Sequence, residues 1–162
     1  MVRKFSILFI TSLLTLTLNS GAEASRFVSK QYPSPNPTKI IKSAKFSGVC
    51  AGVTHDPHHS THFPGTINVI SSTSCQGRRV SVETDLYQGS LDANPVFLTS
   101  GFTSKQSVAE LSTNWKCQIG RNYLITAISY HVDDRFRGAI TVNRALVFCG
   151  IPKAQKPLPK KR

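Results

Sequence analysis

The chain has 162 residues and a formal net charge of +12 at pH 7, from 20 Lys and Arg against eight Asp and Glu. This length allows one domain with its own hydrophobic core, and so large a positive charge favours an anionic partner. After the first 24 residues, no stretch is apolar enough to cross a membrane as a helix.

The chain begins with the pattern of a secretory signal peptide. Arg3 and Lys4 precede an apolar run over residues 5–18, and Ala22 and Ala24 are small residues at the positions that a signal peptidase reads. An uncleaved anchor helix is the alternative, but the run is too short and too rich in Ser and Thr to span a bilayer. We therefore expect residues 1–24 to be removed and the mature protein to be secreted.

Two cationic segments flank the expected domain at residues 39–151. They are a proline-rich leader over residues 25–38 and a C-terminal tail over residues 152–162, and neither contains an acid. Such segments are typical of association with an anionic cell-surface polymer or lipid headgroups, with nucleic acid less favoured, although they can also be solubilising tails. The cations expected to bind an anionic partner are Arg26, Lys30, Lys39, Lys42, Lys45, Lys153, Lys156, Lys160, Lys161 and Arg162.

Alternation of apolar and polar residues predicts about seven short strands and no helix. Gln76-Gly77 predicts a tight turn between two of the strands, and a change of apolar phase near Arg144 predicts a bulge in the last one. We expect an antiparallel β-sandwich, with a small β-barrel as the alternative. The predicted strands cover residues 40–50, 66–75, 79–87, 96–102, 108–115, 123–132 and 139–149.

Four cysteines remain after cleavage of the signal peptide. An even number in an exported protein predicts two disulfides, with three connectivities open, and the spacing does not suit a zinc site. Since Cys50 and Cys149 close the first and last strands, we prefer Cys50–Cys149 together with Cys75–Cys117.

A histidine-rich segment follows Cys50. Imidazole is the commonest protein ligand for transition metals, so a loop that turns these rings toward one ion would bind a divalent metal. An exposed polar loop with no ligand is the alternative. The candidate metal ligands are His55, Asp56, His58, His59 and His62.

The sequence 131–135 places a histidine beside two carboxylates, His131, Asp133 and Asp134. This arrangement suits an acid–base pair or a calcium-binding corner, but its composition is that of a connection between strands, and we expect solvated surface ion pairs. No serine-nucleophile motif is present, and the cysteines are expected to be paired. We therefore expect a binding protein rather than an enzyme. The binding partner is an anionic surface or, alternatively, a protein on which a secreted effector, toxin or inhibitor acts.

The chain also carries a pattern of Cys, Gly and Tyr over about residues 66–149. Leu86-Tyr87 ends one predicted strand, Cys117 is followed by Gly120 and Tyr123, and Cys149 closes the last strand. In this pattern the chain resembles small, secreted, disulfide-bonded proteins of Gram-positive bacteria, although two residues rather than one separate Gly120 from the tyrosine. The resemblance implies an Ig-like β-sandwich and supplies no activity or binding residues.

Overall fold

The structure, a computed structural model, describes residues 39–151. These residues form one antiparallel sheet of seven strands, and no helix long and apolar enough to cross a membrane occurs among them. The predicted all-β antiparallel fold of about seven strands is therefore confirmed. The strands are β1 (Ser43–Phe46), β2 (Cys50–Thr54), β3 (His58–His59), β4 (Thr66–Gln88), β5 (Val96–Lys116), β6 (Asn122–Asp133) and β7 (Gly138–Phe148).

The sheet folds over on itself, so that its two halves pack face to face. β4 pairs with β5 along its whole length, and its other side pairs first with β2 and β3 and then with β6. β7 pairs with β6, and a bridge from Val142 of β7 to Ile41 returns the sheet to its beginning. The result is a sandwich that nearly closes as a barrel, so it combines the preferred prediction with its alternative.

The two halves of the sheet are joined by bends within β4 and β5. Gly77 has a φ of +70°, and the pairing of β4 with β5 shifts register between Ser74 and Arg79. Ser107 of β5 has a φ of +65° at the same bend. The predicted hairpin of residues 66–75 and 79–87 is therefore wrong, because Gly77 bends one strand and does not end it. Residues 96–102 and 108–115 are likewise parts of one strand.

The predicted first strand over residues 40–50 is two strands. Ser47 and Gly48 both have positive φ values, 54° and 74°, and form a turn that pairs β1 with β2 in register Phe46↔Cys50. Glycine adopts this conformation without steric cost, which favours the turn here. Cys50 thus begins the second strand and does not close the first.

The interior between the two halves is partly apolar and partly polar. Its apolar ends contain Val80 and Val82 on one side and Ile67 and Ile125 on the other. Between them the interior is filled by hydroxyl, amide and imidazole groups: Thr54, Ser71, Thr73, Thr84, Ser129, His131, Thr141 and Asn143.

The polar part of the interior explains why the apolar residues of β7 change from one face of the strand to the other near Arg144. β6 and β7 keep one register from Asn122↔Phe148 to Val132↔Gly138, so the bulge predicted near Arg144 is wrong. Val142 lies on the outer face of the sheet, whereas Val147 lies inside. The apolar residues change face because Thr141 and Asn143 occupy the inner face midway along the strand.

The two disulfides join Cys50 to Cys75 and Cys117 to Cys149. Two disulfides are confirmed, and the preferred connectivity is wrong. Cys50 and Cys75 lie directly opposite each other on β2 and β4, because the turn at Ser47 makes β2 a neighbour of β4. The bridges cross-link opposite ends of the sandwich, and paired cysteines of this kind are typical of an oxidising compartment.

Candidate functional site

The histidine-rich segment is divided between a connection, a short strand and a turn. His55 follows β2, and its backbone N–H donates to the carbonyl of Ile70. His58 and His59 form β3, which pairs with β4. Asp56 accepts a hydrogen bond of 2.6 Å from Lys42, and this bond lowers the pKa of the Asp56 carboxyl.

These five candidate metal ligands do not converge on one point. Within residues 39–151, three His, Cys, Asp or Glu ligand atoms lie within 4.8 Å of one another only at Cys50, Cys75 and Asp133. Both of those sulfur atoms are used in a disulfide. Metal binding by the histidine-rich segment therefore stays a prediction.

Part of the segment lines a pocket of about 170 Å³ on the outer face of β4 and β5. Asn68 is one of its lining residues, and its side-chain nitrogen donates to Ser112 at 2.5 Å and to Asn114 at 2.8 Å. Amide, hydroxyl and imidazole groups beside an exposed aromatic ring can hydrogen-bond and stack on a polar ligand. Sequence reasoning missed the pocket because Asn68 and Asn114 are distant in the chain. The pocket is lined by His58, Ser60, Thr61, His62, Phe63, Asn68, Ile70, Ser112 and Asn114.

His131 lies in the centre of the interior and is fully buried. Thr73 donates to the carbonyl of Ser81, so its oxygen accepts from Nδ1 of His131 at 2.8 Å. The hydroxyl oxygen of Thr141 lies 2.7 Å from Nε2, and burial lowers the pKa of the ring to about 4, which favours the neutral form. Gly52 packs on this ring, since a Cβ at that position would lie 2.3 Å from Cγ of His131. His131 therefore cannot act as a surface acid or base.

A chain of hydroxyl groups continues from His131 across the interior. Thr54 lies 2.6 Å from Thr141 and 2.7 Å from Ser129, which also contacts Ser71 and Thr84. Each of these groups has a hydrogen-bond partner within the network. Its residues come from β2, β4, β6 and β7, and the network therefore ties the two halves of the sandwich together.

Asp133 is buried at the end of the sandwich where β4 and β5 bend. One carboxylate oxygen accepts from the backbone N–H groups of Arg135 and Arg137, and the other accepts from the side chains of Arg78, Arg137 and Ser47. Burial alone would raise the pKa of Asp133, but these donors outweigh burial and lower it to about 2. The expectation of solvated surface pairs is wrong for Asp133, because its buried carboxylate joins the turn between β1 and β2, the bend in β4 and the connection between β6 and β7.

Six cations lie at this same end, which we name the basic end. Arg78 and Arg137 bind Asp133, so the carboxylate holds two guanidinium groups in place. Asp134 is the exposed acid of the connection between β6 and β7. The basic end comprises Lys45, Arg78, Arg79, Lys105, Arg135 and Arg137.

Exposed charge on the described domain is strongly positive. Among residues 39–151, nine of eleven Lys and Arg side chains are exposed, but only four of seven Asp and Glu. The acids withdrawn from the surface are Glu83, Asp85 and Asp133. Burial also raises the pKa of Asp85 to about 6, which removes part of its negative charge near neutral pH.

Three of the cations expected to bind an anionic partner lie within the described residues. Lys39, Lys42 and Lys45 are exposed, and Lys42 is engaged by Asp56. The remaining seven lie outside the described residues, in the leader and the tail: Arg26, Lys30, Lys153, Lys156, Lys160, Lys161 and Arg162.

An apolar patch is exposed at the opposite end of the sandwich. Leu124 and Leu146 are directly opposite each other on β6 and β7, and Phe148 is two residues farther along β7. Leu146 is 70% exposed and Phe148 is 58% exposed. Exposed neighbouring side chains of this size are a feature of surfaces that bind other proteins.

No family model, curated protein or solved structure matches the chain. The resemblance to secreted proteins of Gram-positive bacteria therefore stays a prediction.

Proposed function

We propose that the protein is a secreted, non-enzymatic binding protein that associates with an anionic surface or polymer through its cationic chain ends, the leader and the tail. The observation that carries the proposal is the charge of the exposed surface, where cations outnumber acids by nine to four within residues 39–151. The domain therefore adds to the attraction exerted by the leader and the tail and does not oppose it.

Four further features support this proposal. The signal-peptide pattern and the two disulfides agree with an extracellular location. Asp133 is engaged in structural contacts, and His131 is buried in the interior. The groups that most resembled an acid–base pair in the sequence thus have structural roles.

The test compares retention of the mature chain, residues 25–162, with that of a shortened chain, residues 39–151, on heparin and on anionic vesicles. We expect the mature chain to be retained at low salt and released steeply as salt rises, because binding releases counterions. The shortened chain should elute at clearly lower salt. Equal retention of the two chains would show that the leader and the tail do not contribute to binding. No retention of the mature chain would refute the proposal.

A second candidate is an effector, toxin or inhibitor that acts on a protein partner. It is favoured by the apolar patch at Leu124, Leu146 and Phe148. If this candidate holds, Leu146→Ser combined with Phe148→Ser should abolish the effect of the protein on neighbouring cells in growth assays and leave heparin retention unchanged. An unchanged growth effect would exclude the patch as the interface.

A further inference from the structure

The basic end carries apolar side chains as well as cations. Val49 is 60% exposed in the turn between β1 and β2, and Val108 is 53% exposed beside the bend in β5. Phe136 is 63% exposed in the connection between β6 and β7. Two connections and the bend of a strand thus each present an apolar group at the same end of the sandwich.

The position of Phe136 is fixed by the turn that surrounds Asp133. Its backbone N–H donates to the carbonyl of Asp133, and the backbone N–H of Asp133 donates to the carbonyl of Arg137. Within this turn Phe136 has a φ of +56°, a conformation that bulky side chains rarely adopt. Backbone strain of this kind is concentrated at functional sites. The turn holds an aromatic ring between two arginines, at a place where Gly or Asn would be less strained.

Cations surround these apolar groups. Arg135 and Arg137 flank Phe136 in the sequence, and Arg79 and Lys105 lie beside the bend. A soluble polyanion would require only the cations. Apolar tips within a ring of Lys and Arg suit a bilayer surface, where the tips enter the acyl boundary and the cations stay among the headgroups.

We propose that the basic end docks on a bilayer that contains anionic phospholipids, with Val49, Val108 and Phe136 entering the interface. The inference rests on the proposed function and names lipid headgroups as the anionic surface. Asp133 acts as a positioning residue, because it holds Arg78, Arg137 and the turn of Phe136 in one arrangement.

The first experiment measures co-sedimentation of the mature chain with vesicles of phosphatidylcholine, alone or mixed with phosphatidylserine. The charge variant is Arg79→Ala with Arg135→Ala, and its matched control is Lys116→Ala with Arg121→Ala at the opposite end. Both variants remove two exposed cations. We expect the charge variant to bind the mixed vesicles about thirty-fold more weakly and the control to change by about threefold at most. Equal weakening would overturn the inference.

The second experiment removes the apolar tips with Val49→Ser, Val108→Ser and Phe136→Ser. Its control carries Val96→Ser, Leu146→Ser and Phe148→Ser, which are similarly exposed at the opposite end. We expect the tip variant to lose at least about tenfold in affinity for mixed vesicles while its retention on heparin stays unchanged. A loss equal to that of the control would overturn the inference.

A third measurement does not depend on loss of binding. Phe136→Trp should shift its fluorescence emission to shorter wavelength on mixed vesicles and not on heparin, after subtraction of the signal of Trp115 in the unsubstituted chain. An unshifted emission in vesicle-bound protein would overturn the inference. If the mature chain binds neither vesicles nor heparin, the proposed function fails as well. If it binds heparin alone, only the inference fails.

Discussion

The buried imidazole of His131 makes the stability of the protein depend on pH. Burial lowers the pKa of His131 from its ordinary value of 6.5 to about 4. The unfolded chain therefore binds a proton near pH 6.5, which the folded chain does not bind until about pH 4. Stability is lost as the pH falls across this window. Asp85 acts in the opposite sense, because its raised pKa favours the folded state as the pH falls from about 6 toward 4.

Because His131 and Asp85 change stability in opposite directions as the pH falls, the contribution of His131 is measured by comparing the unfolding free energy of the unsubstituted protein with that of a variant without the imidazole. We expect His131→Gln to be less stable than the unsubstituted protein at pH 7, and the gap in unfolding free energy to shrink by roughly 3 kcal/mol at pH 4. Urea denaturation at several pH values measures the gap. A gap that stays constant between pH 7 and pH 4 would contradict a buried neutral ring at His131.

Gly52 is required by the same ring. A Cβ at this position would lie 2.3 Å from Cγ of His131, and two hydrogen bonds prevent the ring from moving aside. We expect Gly52→Ala to lower the unfolding free energy by about 2 kcal/mol or more. Gly150→Ala is the control, because the nearest atom would be 3.6 Å away, and its effect should stay within about 0.5 kcal/mol. Thermal melts that rank the two variants equally would refute this packing.

At the scale of the strands, the sequence predicts where the strands lie better than it predicts where one strand ends and the next begins. Residues 123–132 and 139–149 were predicted as strands, and β6 and β7 cover Asn122–Asp133 and Gly138–Phe148. Alternation on each side of Gly77 also predicted the faces of β4. This alternation does not show whether the chain turns back at Gly77 or continues through a bend, because glycine with a positive φ suits both. That distinction depends on β5, which bends at the same level and pairs with both halves of β4.

The disulfide connectivity was not predictable for a related reason. Cys50 and Cys75 share an end of the sandwich only because the chain turns at Ser47 and Gly48. In a single strand over residues 40–50, Cys50 would close the first strand and would not begin a second strand opposite Cys75. Local pattern therefore gives the number of bridges, and only the order of strands in the sheet gives their pairs.

The connectivity can be checked with a tryptic digest of the unreduced protein. Cleavage after Lys and Arg leaves Cys50 and Cys75 together in peptide 46–78, with Cys117 in peptide 117–121 and Cys149 in peptide 145–153. We expect mass spectrometry to find an internal bridge in peptide 46–78 and a link between the two other peptides. Either of the other connectivities would link peptide 46–78 to both of them.

At the scale of the whole molecule, the two halves of the sandwich should unfold together. β4 and β5 run through both halves, and the polar interior joins them at Thr54, Ser129 and Thr141. We expect the near-ultraviolet signal of Trp115 and the far-ultraviolet signal of the strands to give coincident urea transitions. Two separate transitions would mean that the halves are independent units.

The candidate site illustrates what the sequence can and cannot predict. The cations of the leader and the tail are evident from composition. The basic end is not, because Lys45 of β1, Arg79 of β4 and Arg135 of the connection between β6 and β7 are distant in the chain. Neither is the withdrawal of Glu83, Asp85 and Asp133 from the surface, which depends on burial.

The bridge between Ile41 and Val142 gives the prolines of the leader a role in assembly. Ile41 donates to Val142 and accepts from it, so residues 39, 37 and 35 would be the next to face β7 if the ladder continued. Pro37 and Pro35 have no N–H to donate to Leu146 and Phe148. A segment with proline at these two positions cannot complete such a ladder with its N–H groups, whether it belongs to the same molecule or to a second one. The prolines thus act as a chemical stop against chain-to-chain polymerisation by strand exchange.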